Sequence, residues 1–192
     1  SEQEARPFAW AGMRARHIGT VVHVWLERMA ETGLAHWDDS RILDERLLMR
    51  HRLHLLGIPD DQLDAATARV IEALQQVLLD ERGRWVLSVH QESACEYALN
   101  AWLDERLQTF IIDRTFVDDK GTRWIVDYKT SSHEQGDLAD FIAHERERYQ
   151  PQLQAYAQVM YRLEQRPVRT ALYLPLMPLW IDVPVTIEIN GH

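Results

Sequence analysis

The sequence is poor in the residues and motifs that build several common kinds of site. Its 192 residues include one cysteine, Cys95. This chain alone therefore cannot form an intramolecular disulfide, a four-cysteine zinc site or a four-cysteine iron–sulfur cluster. It also contains no GxxxxGK[ST] phosphate-binding loop, no HExxH zinc motif and no GxSxG nucleophile elbow. We expect no nucleotide site, zincin chemistry or serine hydrolase chemistry.

Long apolar runs and positive charge are scarce as well. No run approaches the ~20 apolar residues of a membrane span, and no signal-peptide pattern is present, so we expect a cytoplasmic protein that does not contact membranes. The formal net charge is -9, which opposes non-specific binding to phosphates. Either other domains or subunits hold a nucleic acid, or nucleic acid is not the ligand.

The length suits one domain with its own hydrophobic core. We expect a linker or an ordered extension over residues 1–11, and a single domain over residues 12–192. Helices are predicted over residues 15–32, 40–56, 60–81, 137–148 and 149–164. The segment from about 40 to 80 is predicted to be a helical insertion. A strand is predicted at 95–99, and edge strands at 168–174 and 180–189.

The most informative stretch is TFIIDRTFVDDKGTRWIVDYKTS, residues 109–131. Two runs rich in β-branched and aromatic residues flank the turn sequence Asp118-Asp119-Lys120-Gly121, which predicts a β-hairpin. A three-residue loop over 119–121 would pair Asp118 with Thr122 and place Asp113 directly opposite Asp127.

Two carboxylates would then share one face of this hairpin, and the period of two puts Lys129 on the same face. Facing like charges destabilise a strand pair, so a cation between Asp113 and Asp127 is one interpretation. Oxygen ligands suit Mg²⁺ or Mn²⁺, and a nearby Lys can orient a water molecule. The other interpretation pairs Asp113 with Arg114 or Arg123 and leaves Asp127 and Lys129 as an exposed ion pair.

The longer pattern, Ile112-Asp113-Arg114 followed by Asp127-Tyr128-Lys129-Thr130, resembles the PD-(D/E)xK nuclease superfamily. In particular it is similar to the C-terminal nuclease domain of RecB/AddA-type helicase–nucleases, which carry a UvrD/Rep-like motor. The segment Gly19-Thr20-Val21-Val22-His23 matches a Gly-Thr-x-x-His helix of that family. Phe110 is a departure, because family members usually have Gly there.

The resemblance implies an α/β restriction-endonuclease-like fold, with a mixed central sheet flanked by helices. It implies that one or two Mg²⁺ or Mn²⁺ ions are held by His23, Asp113, Asp127 and the backbone carbonyl of Tyr128, with Lys129 positioning the water. Glu96 is the best match to a further acidic residue near the metal, and Glu92 is the alternative. Glu27, four residues after His23, is either a neighbour of the site or a solvated partner.

A Gln-x-x-x-Tyr helix follows the DYK strand in that family, and RYQPQLQAYA reproduces it. The resemblance implies that Gln152 and Tyr156, joined by Tyr149 and Thr130, contact DNA. Such side chains bond phosphates or stack on bases without adding charge.

The implied function is metal-dependent hydrolysis of DNA by an exonuclease domain that a helicase supplies with single-stranded ends. The implied partners are a superfamily 1 helicase, covalently linked or associated, and a second helicase–nuclease subunit, acting in double-strand break repair and recombination. The alternatives are a stand-alone nuclease and an inactive nuclease-like scaffold that binds DNA or a partner.

Overall fold

The computed structural model describes residues 2–103, 105–133 and 136–189, and side chains within 12–102, 105–133 and 136–189. The chain divides into two compact units. The first comprises Ser1–Ser88, Lys129–Ser132 and Leu174–Pro178, and the second comprises Val89–Tyr128, His133–Tyr173 and Leu179–His192.

The first unit is helical. Its helices are α1 (Glu2–Thr32), α2 (Asp39–Asp44), α3 (Arg46–Leu55), α4 (Leu63–Leu79) and α5 (Glu81–Leu87). Helix α1 starts well before the predicted residue 15 and includes residues 2–11, whose side chains lie outside the described part. Gly33 follows α1 with φ of 89°, and its N–H donates to the Met29 carbonyl at 3.0 Å, as expected of a helix C-terminus.

Apolar stripes with helical spacing bring these helices together. Helix α4 packs against α1 and α3. The stripe of α1 is fully buried at Val22, Trp25, Leu26 and Met29, which confirms the periodicity predicted for that helix. The predicted helix 40–56 is two helices, because the chain turns at Glu45, whose N–H donates to the Ile42 carbonyl.

The second unit contains a five-stranded sheet in the order β1-β2-β3-β4-β5. The strands are β1 (Gln91–Leu103), β2 (Arg106–Val117), β3 (Arg123–Tyr128), β4 (Val168–Leu174) and β5 (Leu179–Val183). Strands β1, β2 and β3 are antiparallel neighbours, whereas β3 and β4 are parallel. The predicted α/β class with a mixed sheet is confirmed. The prediction of β4 as an edge strand is wrong, because β4 lies between β3 and β5.

The β2–β3 hairpin has the predicted register. Val117 pairs with Arg123 and Arg114 with Val126, and the Asp118 N–H donates to the Thr122 carbonyl at 3.0 Å. Gly121 has φ of 80° in the loop, a left-handed conformation that glycine adopts without steric cost.

One long helix, α6 (Leu138–Glu164), connects β3 to β4. Two helices were predicted here, with Pro151 in the first turn of the second, and that boundary is wrong because Pro151 lies inside α6. An interior proline removes one helical hydrogen bond. The flanking residues Glu145, Leu153, Tyr156, Ala157 and Met160 are buried, and this packing keeps the helix continuous.

Among the described residues, none of the helices combines the length and the apolar character that crossing a bilayer requires.

Candidate functional site

Two carboxylates lie close together on the first two strands of the sheet. One carboxylate oxygen of Glu96 and one of Asp113 are within 4.8 Å of each other. The register explains this proximity, since Cys95 pairs with Arg114 and Tyr97 with Ile112, which leaves Glu96 opposite Asp113. Glu96 is exposed and Asp113 is half-buried.

The backbone at Glu96 is unusual. Its φ is 48°, in the left-handed region that non-glycine residues rarely adopt. Such a conformation costs free energy, and residues that hold one are frequent at functional sites. The strain therefore accompanies the placement of the Glu96 carboxylate beside that of Asp113.

Asp113 is oriented by the neighbouring strand. Its Oδ2 accepts a hydrogen bond of 2.7 Å from the Tyr128 backbone N–H. A carboxylate has about four lone-pair positions, so this bond fixes the group while leaving it able to bind a cation. Extending the β2–β3 register by one residue places Asp127 opposite Asp113, and Asp127 is only 4 % exposed. The exposed ion pair considered for Asp127 is therefore excluded.

The residues that follow these two aspartates in the chain are buried. Tyr128 is 7 % exposed, and this burial raises the pKa of its hydroxyl. Arg114 is 2 % exposed; its Nη1 donates to Cys95 Sγ at 3.5 Å, and its guanidinium lies over the Phe116 ring. Arg114, the third residue of the Ile-Asp-Arg motif, was one of the two partners considered for Asp113, and the contacts described for its guanidinium are with Cys95 and Phe116.

Glu92, the alternative to Glu96, has another role. Its carboxylate bonds Arg123 at 2.9 Å and Arg166 at 3.2 Å. Arg123 is 3 % exposed and also binds Glu164 at the end of α6, with an Nε–Oε2 distance of 2.9 Å. The same contacts exclude a pairing of Asp113 with Arg123, because the fork of that guanidinium is occupied by Glu92 and Glu164.

In the helical unit, α1 comes very close to the segment that follows β3. A Cβ added to Gly19 would lie 2.0 Å from Thr130 Cγ2 and 2.5 Å from Thr130 Cβ, so only glycine fits there. His23 is one helical turn after Gly19 and thus on the same side of α1. The Gly-Thr-x-x-His helix therefore presents its His23 side to the Lys129–Thr130 segment. His23, Glu27, Lys129 and Thr130 are all half-buried.

The predicted DNA-contacting residues of α6 fall into two groups. Gln152 is exposed and Tyr149 half-exposed, whereas Tyr156 is 3 % exposed. The Tyr156 hydroxyl accepts a hydrogen bond from Gln152 Nε2, and its ring packs edge-on against Phe110, with ring centroids 5.2 Å apart. Tyr156 is therefore not open to base stacking. Phe110, the departure from the family pattern, holds Tyr156 in place.

The donor set fits a hard divalent cation. The close acids supply only oxygen atoms, which Mg²⁺ and Mn²⁺ prefer. Two carboxylates this close together attract a cation, and the backbone of Glu96 is held in a strained conformation. These residues can thus form part of a metal site that leaves positions for water or substrate.

Comparison with known proteins agrees with a metal site of this kind. No curated protein is similar enough to count as a relative. A family model, that of the PD-(D/E)XK nuclease superfamily, matches residues 5–183. The match includes the helix with His23, both hairpin aspartates and α6, and the mixed sheet is consistent with that nuclease fold. Because the match covers nearly all of the sequence, this chain belongs to the PD-(D/E)XK nuclease superfamily.

Proposed function

We propose that this chain is a metal-dependent deoxyribonuclease domain that hydrolyses phosphodiester bonds of DNA. The observation that carries the proposal is the Glu96–Asp113 carboxylate pair, whose oxygens lie within 4.8 Å. Superfamily membership supports the reaction class, because its members are typically metal-dependent nucleases. The Asp113 orientation by the Tyr128 N–H supports a preformed site.

In this proposal Mg²⁺ or Mn²⁺ is held by Glu96, Asp113, Asp127, the carbonyl of Tyr128 and His23. The last three rest on the motif match. When bound, the ion supplies Lewis acidity and a more acidic water. Lys129 is proposed to orient the attacking water and to offset charge on the scissile phosphate. The close contact of Gly19 with Thr130 supports a fixed position for the segment that carries Lys129.

The DNA contacts are assigned by exposure. Gln152, Tyr149 and Thr130 are proposed to hydrogen-bond phosphate or sugar oxygens, which positions a strand without reading its sequence. Tyr156 is buried and bonded to Gln152. Its proposed role is therefore to hold the Gln152 amide in place, and it does not touch DNA itself.

The wider setting is also a proposal. The domain would act as an exonuclease on single-stranded ends supplied by a superfamily 1 helicase, linked or associated, with a second helicase–nuclease subunit, in cytoplasmic double-strand break repair and recombination. The RecB/AddA-type motifs support this setting. The net charge of -9 also supports it, since a chain of this charge gains little from phosphate attraction and benefits from a partner that holds the DNA.

The test is hydrolysis of an end-labelled single-stranded oligonucleotide with Mg²⁺, Mn²⁺ or EDTA. Wild type is expected to cut only with metal, and Asp113→Ala and Lys129→Ala are expected to lose cutting. Glu92→Gln is the matched control, because that glutamate pairs with arginines. Absence of metal-dependent cutting at high protein concentration would contradict the proposal and favour the scaffold alternative.

A further inference from the structure

The hairpin formed by β1 and β2 extends beyond the rest of the sheet. Strand β3 pairs with β2 only from Arg114 to Val117, whereas β1 continues to pair with β2 as far as Leu103 and Arg106. The residues of β2 from 106 to 113 therefore form a two-stranded arm with β1. Asp113 lies at the base of this arm.

The two faces of the arm differ. One face is buried at Leu99 and Ile112 and carries Phe110, which packs on Tyr156. No described residue of β2 has a positive φ, so its side chains alternate regularly. The other face of the arm is the face of Asp113. On β2 it carries Ile111, Thr109 and Leu107, and the residues paired with them on β1 are Ala98, Asn100 and Trp102. We call these six residues the stacking row.

The stacking row is exposed and uncharged. Trp102 is 72 % exposed, Leu107 60 % and Ile111 43 %. None of its six residues is acidic, although the chain as a whole carries a net charge of -9. The Thr109 hydroxyl donates to Asn100 Oδ1 at 2.7 Å, which orients the Asn100 amide and leaves its N–H donors available for an acceptor such as a phosphate or base oxygen.

This chemistry matches an unpaired nucleic-acid strand. A tryptophan face stacks on any base and contributes about 1–3 kcal/mol per base without a positive charge. Duplex DNA hides its base faces, so it cannot use such a surface. Six residues of strand extend about 20 Å, so a strand lying along the row would end at the Glu96–Asp113 pair. This continuity with the carboxylates favours DNA over a protein ligand.

We propose that the stacking row binds single-stranded DNA, with Trp102 stacking on a base that lies away from the scissile phosphate by about the length of the row. The inference rests on the proposed nuclease function and narrows its substrate to a single strand long enough to reach from Asp113 to Trp102. Trp102 is a binding residue and takes no part in the chemistry.

The binding test uses fluorescence anisotropy of labelled oligothymidines of about 4 to about 16 nucleotides. EDTA is present so that nothing is cut, and the salt concentration is low. Trp102→Ala is expected to weaken binding of the long oligonucleotides about 10-fold, which corresponds to loss of one stacked base. Binding of a blunt duplex should not change. Trp102→Phe should restore most of the affinity, and Leu79→Ala, at a leucine that is 86 % exposed in the other unit, is the control.

Each outcome decides the proposal. Equal affinity of wild type and Trp102→Ala at every length would overturn it, as would wild type that binds no single strand. Loss of self-association in Trp102→Ala with unchanged DNA affinity would assign the row to protein contacts instead. Because binding is measured without metal, its failure is distinguishable from failure of hydrolysis, which the Asp113→Ala assay reports separately. In the cutting assay, Trp102→Ala should raise KM about 10-fold for long strands and leave kcat unchanged.

Discussion

Two glutamates four residues apart on β1 illustrate how one strand can separate structural from functional charge. Both have a left-handed backbone, with φ of 46° at Glu92 and 48° at Glu96. The Glu92 carboxylate bonds two arginines, whereas that of Glu96 lies within 4.8 Å of another acid. Both glutamates lie on β1 and share the left-handed backbone, so the difference between them lies in the neighbours of each carboxylate.

A count of acidic residues on a strand therefore does not locate a metal site. Glu92 is compensated by cations of the same unit and stabilises the end of the sheet. Glu96 faces a carboxylate, an arrangement that favours binding of a cation from solution.

The largest effect on stability is expected from Arg123→Met. This change leaves the Glu164 carboxylate in a partly buried position without its main partner and removes one partner of Glu92. Loss of the hydrogen bonds from Arg123 to these two carboxylates costs about 3 kcal/mol, measured as a decrease in the free energy of unfolding in urea. Arg123→Lys should lose less, because it keeps the charge. Both variants should still cut DNA with metal below the unfolding temperature. Loss of cutting would show that the Glu92–Arg123 ion pair is not purely structural.

A smaller loss of stability is expected from Gly19→Ala, which tests the uncharged contact between Gly19 and Thr130. The added methyl would overlap Thr130 Cβ and Cγ2, and overpacking of this kind costs about 1–3 kcal/mol. Because the same contact positions the Lys129 segment, kcat should fall as well. The double variant Gly19→Ala/Thr130→Gly removes the overlap and should recover stability; no recovery would contradict the assigned contact.

Asp118, like Glu92, is an acid with a structural role. Although burial alone would raise its pKa, hydrogen bonds from the Trp124 indole and the N–H groups of Thr122 and Lys120 hold that pKa below its usual value. A depressed folded-state pKa gives stability that is present above the unfolded pKa and is lost as pH falls through the folded pKa.

Asp118→Asn should therefore lower the free energy of unfolding by about 1 kcal/mol near neutral pH. The difference from wild type should shrink as pH falls below about 4, provided that both proteins are compared where they are folded. Urea titrations at several pH values measure it. A difference that grows toward acid pH would contradict the assignment.

The smallest stability change, and the most discriminating, is expected from glycine at the two strained positions. Glu96→Gly relieves a left-handed conformation that costs about 1–2 kcal/mol, offset in part by the greater unfolded-state entropy of glycine. It should be neutral or slightly stabilising while cutting is lost. Glu92→Gly also relieves strain but removes two ion pairs, so it should be destabilising while cutting persists. The opposite pattern would reverse the roles assigned to these glutamates.

The sequence carried enough information for the hairpin but not for everything around it. The turn Asp118 to Gly121 and the alternating strands predicted the β2–β3 register, because side-chain period and turn chemistry act locally. The Gly-Thr-x-x-His match identified Gly19, but the residue that it meets, Thr130, could not be read from the motif. The helical stripe on α1 was likewise predicted from local spacing.

Features that depend on tertiary packing were missed. The buried residues on both sides of Pro151 keep α6 continuous against local preference. Tyr156 follows the motif spacing, but its burial against Phe110 is a contact between distant segments. The strained φ of Glu96 has no signal in the residue type. The choice between Glu92 and Glu96 depended on Arg123 and Arg166, whose partners are set by the fold.

The most direct test of the account is titration of Mn²⁺ into wild type, Glu96→Gln and Glu92→Gln by isothermal calorimetry, without DNA. Glu96→Gln is expected to weaken Mn²⁺ binding at least about 10-fold, since it removes a charged ligand, while Glu92→Gln should bind Mn²⁺ as tightly as wild type. Equal Mn²⁺ affinity in all three proteins, or a loss confined to Glu92→Gln, would contradict the assignment of the Glu96–Asp113 pair as a metal site.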